Sequence, residues 1–426
     1  MKLNKTAIAL SALTLGITLF LSTKLFAAPL TKDEIEKQSS VLTRTQPAYD
    51  SEGIRFANFI LKPLTTTSVK FDDNIFSSAS NKKTDRLIII KPEAEIHSTF
   101  DRHFMSFRAF AEHGKYQDYK DENYTDAHAA FTGRTDITGD IAIPVKLQYG
   151  REHIKRGIPD EDSVLKPTIV QTFSADTAVE YNGQNISGAI RTDLDKYTFR
   201  DNSTANGPVD NSDRNRNEVF LATFIGLSQD RLIAPFGFVG FKDISYRRDI
   251  DDNGFRRSSR SFAGGLGLNI KLSSVLKSKL QAGYNSRSFD DTRFDDINGL
   301  IYNANLLWEP SPLIALNVTA RRSIVESTLS NFSASVDDTY ALGAVYELMP
   351  NIFVKPGASY LIKDYKGSGI RDLKRFTSDL ELTYKLNRNM WANFAYEYIK
   401  QKENAGTSTN LDFENNIYTA SLQLKL

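Results

Sequence analysis

The sequence predicts an all-β fold: a single transmembrane antiparallel up-and-down β-barrel of about eighteen strands, with short turns at one end and long loops at the other. Three observations predict it. Apolar and polar residues alternate with period two from about residue 54 to Leu426. The connections between the alternating runs are short and long in turn. The chain opens on a stretch that reads as a secretory leader.

The leader has the basic, apolar, small-residue order of such signals. Lys2 and Lys5 precede an apolar run from Ala7 to Leu21, and Phe26-Ala27-Ala28 follows. Cleavage is expected after Ala27, because Pro29 disfavours a cut after Ala28. An uncleaved anchor is the alternative, but the run is short for a spanning helix and is interrupted by Thr and Ser. Residues 28–53 then form a short polar periplasmic segment, too short for a folded plug but able to stay disordered or enter a lumen. The barrel is expected over 54–426, with no later stretch apolar enough to span a bilayer as a helix.

Alternation is clear in four runs. In 139–152, Ile141, Ile143, Val145, Leu147 and Tyr149 oppose Lys146, Gln148 and Glu152. In 275–290, Leu280, Ala282 and Tyr284 oppose Lys279, Gln281, Asn285 and Arg287. In 370–386, Phe376, Leu380, Leu382, Tyr384 and Leu386 oppose Arg375, Thr377, Asp379, Glu381, Thr383 and Lys385. The final strand sets Tyr418, Ala420, Leu422, Leu424 and Leu426 against Thr419, Ser421, Gln423 and Lys425.

Short turns are expected at 99–102, 138–140, 182–183, 229–230, 273–274, 309–312, 349–351 and 386–389. Longer polar loops lie between them, among them 77–86, 157–167, 201–215, 249–257, 289–296 and 402–410. The short turns would be periplasmic and the long loops extracellular. A soluble β-sandwich is the structural alternative. Its strands are usually about 5–6 residues, whereas these run roughly 12–17, and a sandwich does not demand two-ended loop asymmetry. Trp308 lies beside a short turn, where an aromatic girdle belongs, whereas the parity of Trp391 points inward.

Composition narrows the function classes. The chain has 53 Lys+Arg and 52 Asp+Glu. Lys2, Lys5 and Lys24 fall in the leader, so the mature chain carries 50 against 52, a net charge of −2. That balance excludes a basic surface for nucleic acid. The chain has 27 Phe, 18 Tyr and 4 Met, an aromatic-rich and Met-poor balance that favours strand. It has no Cys, and therefore no disulfide. All five His, at 97, 103, 113, 128 and 153, differ in parity or height and lack ligand spacing, so no metal or cofactor is expected. Ser98 beside His97 and Ser106 beside His103 are the nearest approach to a hydrolytic pair. Strand neighbours face opposite sides, so no catalytic residues are assigned.

Parity places the candidate pore-lining residues at Lys91, Glu93, Arg108, Glu112, Lys146, Glu180, Arg191, Asp193, Lys279, Arg287, Arg321, Lys355, Arg375, Asp379, Glu381, Lys385 and Glu397. Both signs are mixed, so most are expected to pair across strands and hydrate the wall rather than select one ion sign. The longest loop, 201–215, is the candidate for folding inward.

The run Val69-Lys70-Phe71-Asp72-Asp73-Asn74-Ile75-Phe76, then Thr84-Asp85, Pro92 and Glu122-Asn123-Tyr124-Thr125-Asp126, resembles a family of bacterial outer-membrane β-barrel porins associated with exopolysaccharide biosynthesis and export. Asn351-Ile352-Phe353 and Tyr396-Glu397-Tyr398 resemble its C-terminal hairpins. The resemblance covers nearly all of the mature chain and brings no catalytic residue with it. It implies the outer membrane of a Gram-negative cell and a passive conduit for exopolysaccharide or capsular polysaccharide. The partners it implies are outer-membrane lipid, polysaccharide, periplasmic export proteins, and the barrel-assembly machinery reading the C-terminal strand. A general or nutrient-uptake diffusion porin is the alternative, marked by a constriction loop folded inside. A surface protein acting through its long loops is the third. The Asp72-Asp73-Asn74 run is expected to serve a structural role at the rim of the first hairpin.

Overall fold

A computed structural model describes residues 40–158, 164–273, 275–329, 331–367, 371–405 and 411–426. The expected leader, 1–27, and residues 28–39 of the segment after it lie outside the described residues.

The chain forms one nineteen-stranded sheet, in which the short strand Ile54–Phe56 folds back on the strand that follows it and the other eighteen make a ring. Seven come before the longest loop: β1 (Phe59–Asp72), β2 (Asp85–Ser98), β3 (Phe104–Tyr116), β4 (Tyr124–Asp136), β5 (Ile141–His153), β6 (Ile169–Asn182) and β7 (Ile186–Phe199). Six form the middle: β8 (Arg216–Leu227), β9 (Ile233–Tyr246), β10 (Ser259–Lys271), β11 (Leu276–Phe289), β12 (Ile297–Ser311) and β13 (Ile314–Glu326). Five complete the ring: β14 (Phe332–Met349), β15 (Ile352–Gly367), β16 (Arg371–Lys385), β17 (Met390–Ala405) and β18 (Phe413–Lys425). Each strand pairs antiparallel with its predecessor, and β18 pairs with β1 from Leu64–Lys425 to Asp72–Ile417. Closure gives each of the eighteen ring strands a partner on both sides, which is what a sheet in lipid requires.

Alternation then sorts every strand into two faces. On β9, Val239 and Phe241 are exposed on the outside, whereas Phe236, Phe238 and Ile244 are buried on the inside. Val69, Phe71, Ile88, Ile90, Leu266, Leu280, Tyr284 and Leu422 share the exposed outer surface. An apolar belt of this kind is stable against acyl chains and costly in water.

Among the described residues the short connections fall at one end as expected, though Asn182, residues 309–311, Met349 and residues 402–405 belong to strands; Ser274, 159–163 and 406–410 lie outside the described residues. β12 continues through Ser311 with a register shift between Trp308 and Ser311, so residues expected as turn at 309–311 belong to the strand. The shift accommodates Pro310, which lacks a ladder N–H. Trp308 is exposed on the outer face beside this turn. Outer connections at 117–123 and at 327–329, after β13, add to those anticipated.

The Asp72-Asp73-Asn74 run clamps the closing seam. Asp72 Oδ1 accepts from the Asn74 backbone N–H at 3.0 Å. The Asn74 amide donates to the carbonyls of Ser78 (2.9 Å) and Glu414 (3.1 Å), and its oxygen accepts from Ser78 N–H. Asp73 accepts from the backbone and the side-chain amide of Asn416, each at 2.7 Å. The first and last strands, far apart in sequence, are thereby joined at the outer rim by short polar side chains.

Candidate functional site

The candidate site is the inner wall and its two mouths. On one stretch of wall, Arg108 donates through Nε and Nη2 to both oxygens of Glu93, at 2.8 and 2.9 Å, a bidentate pair between β2 and β3. Beside it Lys91 lies 3.4 Å from Glu112 and 4.0 Å above the Phe110 ring. Glu180 is held by Arg134 at 2.7 Å, an arginine on the inward face of β4 that the sequence reading did not single out. Lys146 stands across from Asp176 in the β5–β6 register. Arg191 and Asp193, two apart on β7, pair at 2.8 Å.

Farther round, Lys355 meets Glu381 at 2.8 Å. Arg287 donates to Ser259 Oγ at 2.7 Å and also engages Glu326. Arg375 donates to Gln401 Oε1 at 2.8 Å. Asp379 stands across from Glu397 in register. Lys279 lies with its ammonium 5.4 Å from the Phe236 ring centre. Arg321 has no hydrogen-bond partner at its buried Nε and Nη2, and the buried Asp193 Oδ2 and Asp379 Oδ1 are unmatched as well.

The inner wall from β8 to β12 also carries an apolar cluster. Phe220, Phe224, Phe236 and Phe238 cluster with Ala222, Ala263 and Ile301. Phe220, Phe236 and Phe238 place ring atoms against glycines on nearby strands. A Cβ at Gly267 would meet the Phe236 ring at 2.3 Å, and one at Gly265 or Gly283 would meet the Phe238 ring at 2.8 Å.

The outer mouth is narrowed by the loop that leaves β5, not by the longest loop. Residues 200–215 stay on the rim, where Asn202–Thr204 pairs with Gly207–Val209 and Leu165 N–H donates to Ser203 O at 2.9 Å. That corrects the expectation for 201–215. The loop is held there by hydrogen bonds to its neighbour's backbone, which its length gives no hint of. Residues 154–158 instead run along the inside of the mouth. Arg156 grips Glu122 at 3.1 and 2.5 Å. The Gly157 carbonyl then accepts from Arg375 Nη2 at 3.0 Å and Gln401 Nε2 at 3.2 Å. Those partners lie on β16 and β17, which even the shorter way round the ring separates from β5 by β4, β3, β2, β1 and β18. Gly157 has φ +81° and packs against Phe413 and Ser77, so a side chain there would be both strained and crowded.

The other mouth is lined by residues 40–53. Gln46 Nε2 donates to Glu347 at 3.1 Å, and Arg44 pairs with the same carboxylate. Lys385 donates to Gln46 Oε1 at 2.6 Å and Asp50 at 3.1 Å. Trp391 faces inward, where its indole N–H donates to the Tyr49 carbonyl at 3.0 Å.

Several of the serines and histidines weighed for hydrolytic or metal chemistry have other partners. Ser98 Oγ accepts from Met105 N–H at 2.9 Å rather than meeting an imidazole. His128 stacks on Phe110, and His153 pairs with Asp126 at 2.8 Å. No group of three or more His, Cys, Asp or Glu among the described residues is placed to hold a metal.

The family whose description is Putative beta-barrel porin 2 matches residues 46–426. No curated protein matches the sequence. Among solved structures, the chain is similar to the outer membrane protein OpdK from Pseudomonas aeruginosa, with 12% identity and a TM-score of 0.43 over 86% of this chain and 99% of that one. It is similar to OccK2 (OpdF) from Pseudomonas aeruginosa, with 14% identity and a TM-score of 0.46 over 86% and 98%. It is also similar to the siderophore receptor PirA from Pseudomonas aeruginosa, with 9% identity and a TM-score of 0.42 over 88% and 81%.

Proposed function

The chain belongs to the Putative beta-barrel porin 2 family and is an outer-membrane β-barrel porin, and from that premise we propose that it is a diffusion pore for small polar solutes. The observation that carries this reading is the inward run of 154–158, tied to Arg375 and Gln401 across the outer mouth. A segment fixed there reduces the aperture of a ring that would otherwise be wide enough for an aqueous channel. Residues 40–53 reduce the opposite mouth in the same way. The paired, mixed-sign wall supports passage of neutral or weakly charged hydrophilic solutes. The pore needs no chemistry of its own, and no residue is given a catalytic role. The apolar belt contacts outer-membrane lipid, and β18, with its alternating Leu422 and Leu424, is the strand we assign to the assembly machinery.

Export of exopolysaccharide, the finer expectation from the family resemblance, requires a bore that passes a polymer end on. Size exclusion separates the two readings. The refolded barrel in liposomes is expected to admit a disaccharide and exclude dextran, in a swelling assay with planar-bilayer conductance alongside. Passage of dextran, or surface polymer trapped in the periplasm of a deletion strain, would overturn the proposal in favour of export.

A further inference from the structure

One row of the wall presents donors without acceptors. In register, Gln281 on β11 stands beside Asn303 on β12, Asn303 beside Arg321 on β13, and Arg321 beside Thr339 on β14. The Asn303 amide donates to Gln281 Oε1 at 3.4 Å, which turns the Gln281 Nε2 group away unmatched and buried. Arg321 Nε and Nη2 are likewise buried and unmatched. The nearest carboxylate along β14, Asp337, accepts from Ser335 through Oδ1 at 2.7 Å and forms an ion pair with Lys363 through Oδ2 at 2.9 Å, but that Oδ2 makes no hydrogen bond and leaves Arg321 Nε and Nη2 unmatched. Among the described residues, the inward positions of β9–β13 carry no other acid between Glu309 beside the turns and Glu326 at the outer ends.

Every unmet group in this row is an N–H. Buried donors left unmatched are costly, so the row is built for something that brings acceptors only. A guanidinium fork flanked by amide donors fits an oxyanion in two-point contact. We propose that Gln281, Asn303 and Arg321 form a docking row for the oxyanion group, carboxylate or phosphate, of a small solute passing through the pore. The inference rests on the diffusion reading for the solute's route, but its test does not.

The test is equilibrium retention by the folded barrel in detergent, which requires no open channel. The probes are labelled gluconate, inorganic phosphate, and sorbitol as the neutral match to gluconate. Wild type is expected to retain gluconate, phosphate or both, and not sorbitol. Arg321→Gln is expected to weaken that retention by about tenfold or more, and Arg321→Lys, which keeps the charge without the fork, by less. Heat-modifiable migration confirms folding of each variant. If Arg321→Gln fails to fold, the Arg321→Lys and Asn303→Ala proteins carry the comparison. Retention of both anions undiminished in the variants, or equal retention of sorbitol, would overturn the row. Absence of anion retention in wild type would do the same while leaving the porin reading intact. A barrel that retains anions yet neither conducts nor swells would sink the pore reading and leave the row standing.

Discussion

Two arginines mark the extremes of what a guanidinium does here. Arg257 is 3% exposed and spends its donors on the carbonyls of Ser327, Phe332 and Leu329, with Nε on Asp251 at 2.5 Å. Arg321 leaves two nitrogens unmatched. The first is structural, because three of its hydrogen bonds satisfy backbone carbonyls that would otherwise be orphaned and the fourth goes to the Asp251 carboxylate. Arg257→Lys keeps the charge but cannot reach three carbonyls and a carboxylate from one ammonium. It is expected to destabilise the barrel by about 2 kcal/mol or more, read as a lower guanidinium midpoint in lipid vesicles. An unchanged midpoint would mean that water replaces these contacts without loss. The sequence placed Arg257 in the long loop 249–257 and Arg321 on the inner face of a strand, but which of them finds acceptors depends on what folds against it.

At the scale of elements, the outer loops act together as one layer. Asp291, in the loop after β11, accepts from the Arg256 backbone N–H at 2.8 Å, from Arg293 N–H at 3.0 Å and from Arg293 Nε at 2.8 Å. Phe255 stacks on Phe294 with ring centres 4.8 Å apart, so two loops share one contact. Hydrogen bonds from the Arg293 side chain, with the backbone N–H groups beside it, hold the Asp291 carboxyl well below the usual carboxylate range. The contribution of a carboxylate lowered in the fold is complete above its unfolded pKa, about 3.9, and fades as pH falls through the lowered value. The loop pair is therefore expected to resist proteolysis equally from neutral pH to about pH 4. Asp291→Asn should be cut faster across that range, with the difference shrinking at lower pH. Equal cutting of wild type and variant at neutral pH would show that the aromatic stack holds the loops alone.

The molecule as a whole is a boundary between two solvents, and parity decides which side chain meets which. Val239, exposed in the middle of β9, faces lipid. Val239→Arg is expected to cost about 2–4 kcal/mol in vesicles, whereas Thr319→Arg, two residues from Arg321 on the lumen face, should cost far less. Equal losses in guanidinium unfolding would contradict this assignment of faces. The period-two pattern, the strand lengths and the alternation of short and long connections made eighteen strands and their two faces legible, because each depends on neighbours only one or two residues apart. The bulge at Trp308–Ser311 escaped because Pro310 reads as a turn whether or not the ladder continues past it. The pairing of Arg134 with Glu180 and the row from Gln281 to Thr339 escaped for another reason. Register sets them, and register joins residues tens of positions apart. The inward path of 154–158 was equally hidden, since its anchors Arg375 and Gln401 lie more than two hundred residues away. By itself, then, the sequence determined the barrel and the sidedness of its strands, because backbone pleating converts local alternation directly into faces. Only the tertiary structure decided which loop narrows the mouth and which charges are matched, because those outcomes depend on ring closure, and closure brings together side chains that no local pattern relates.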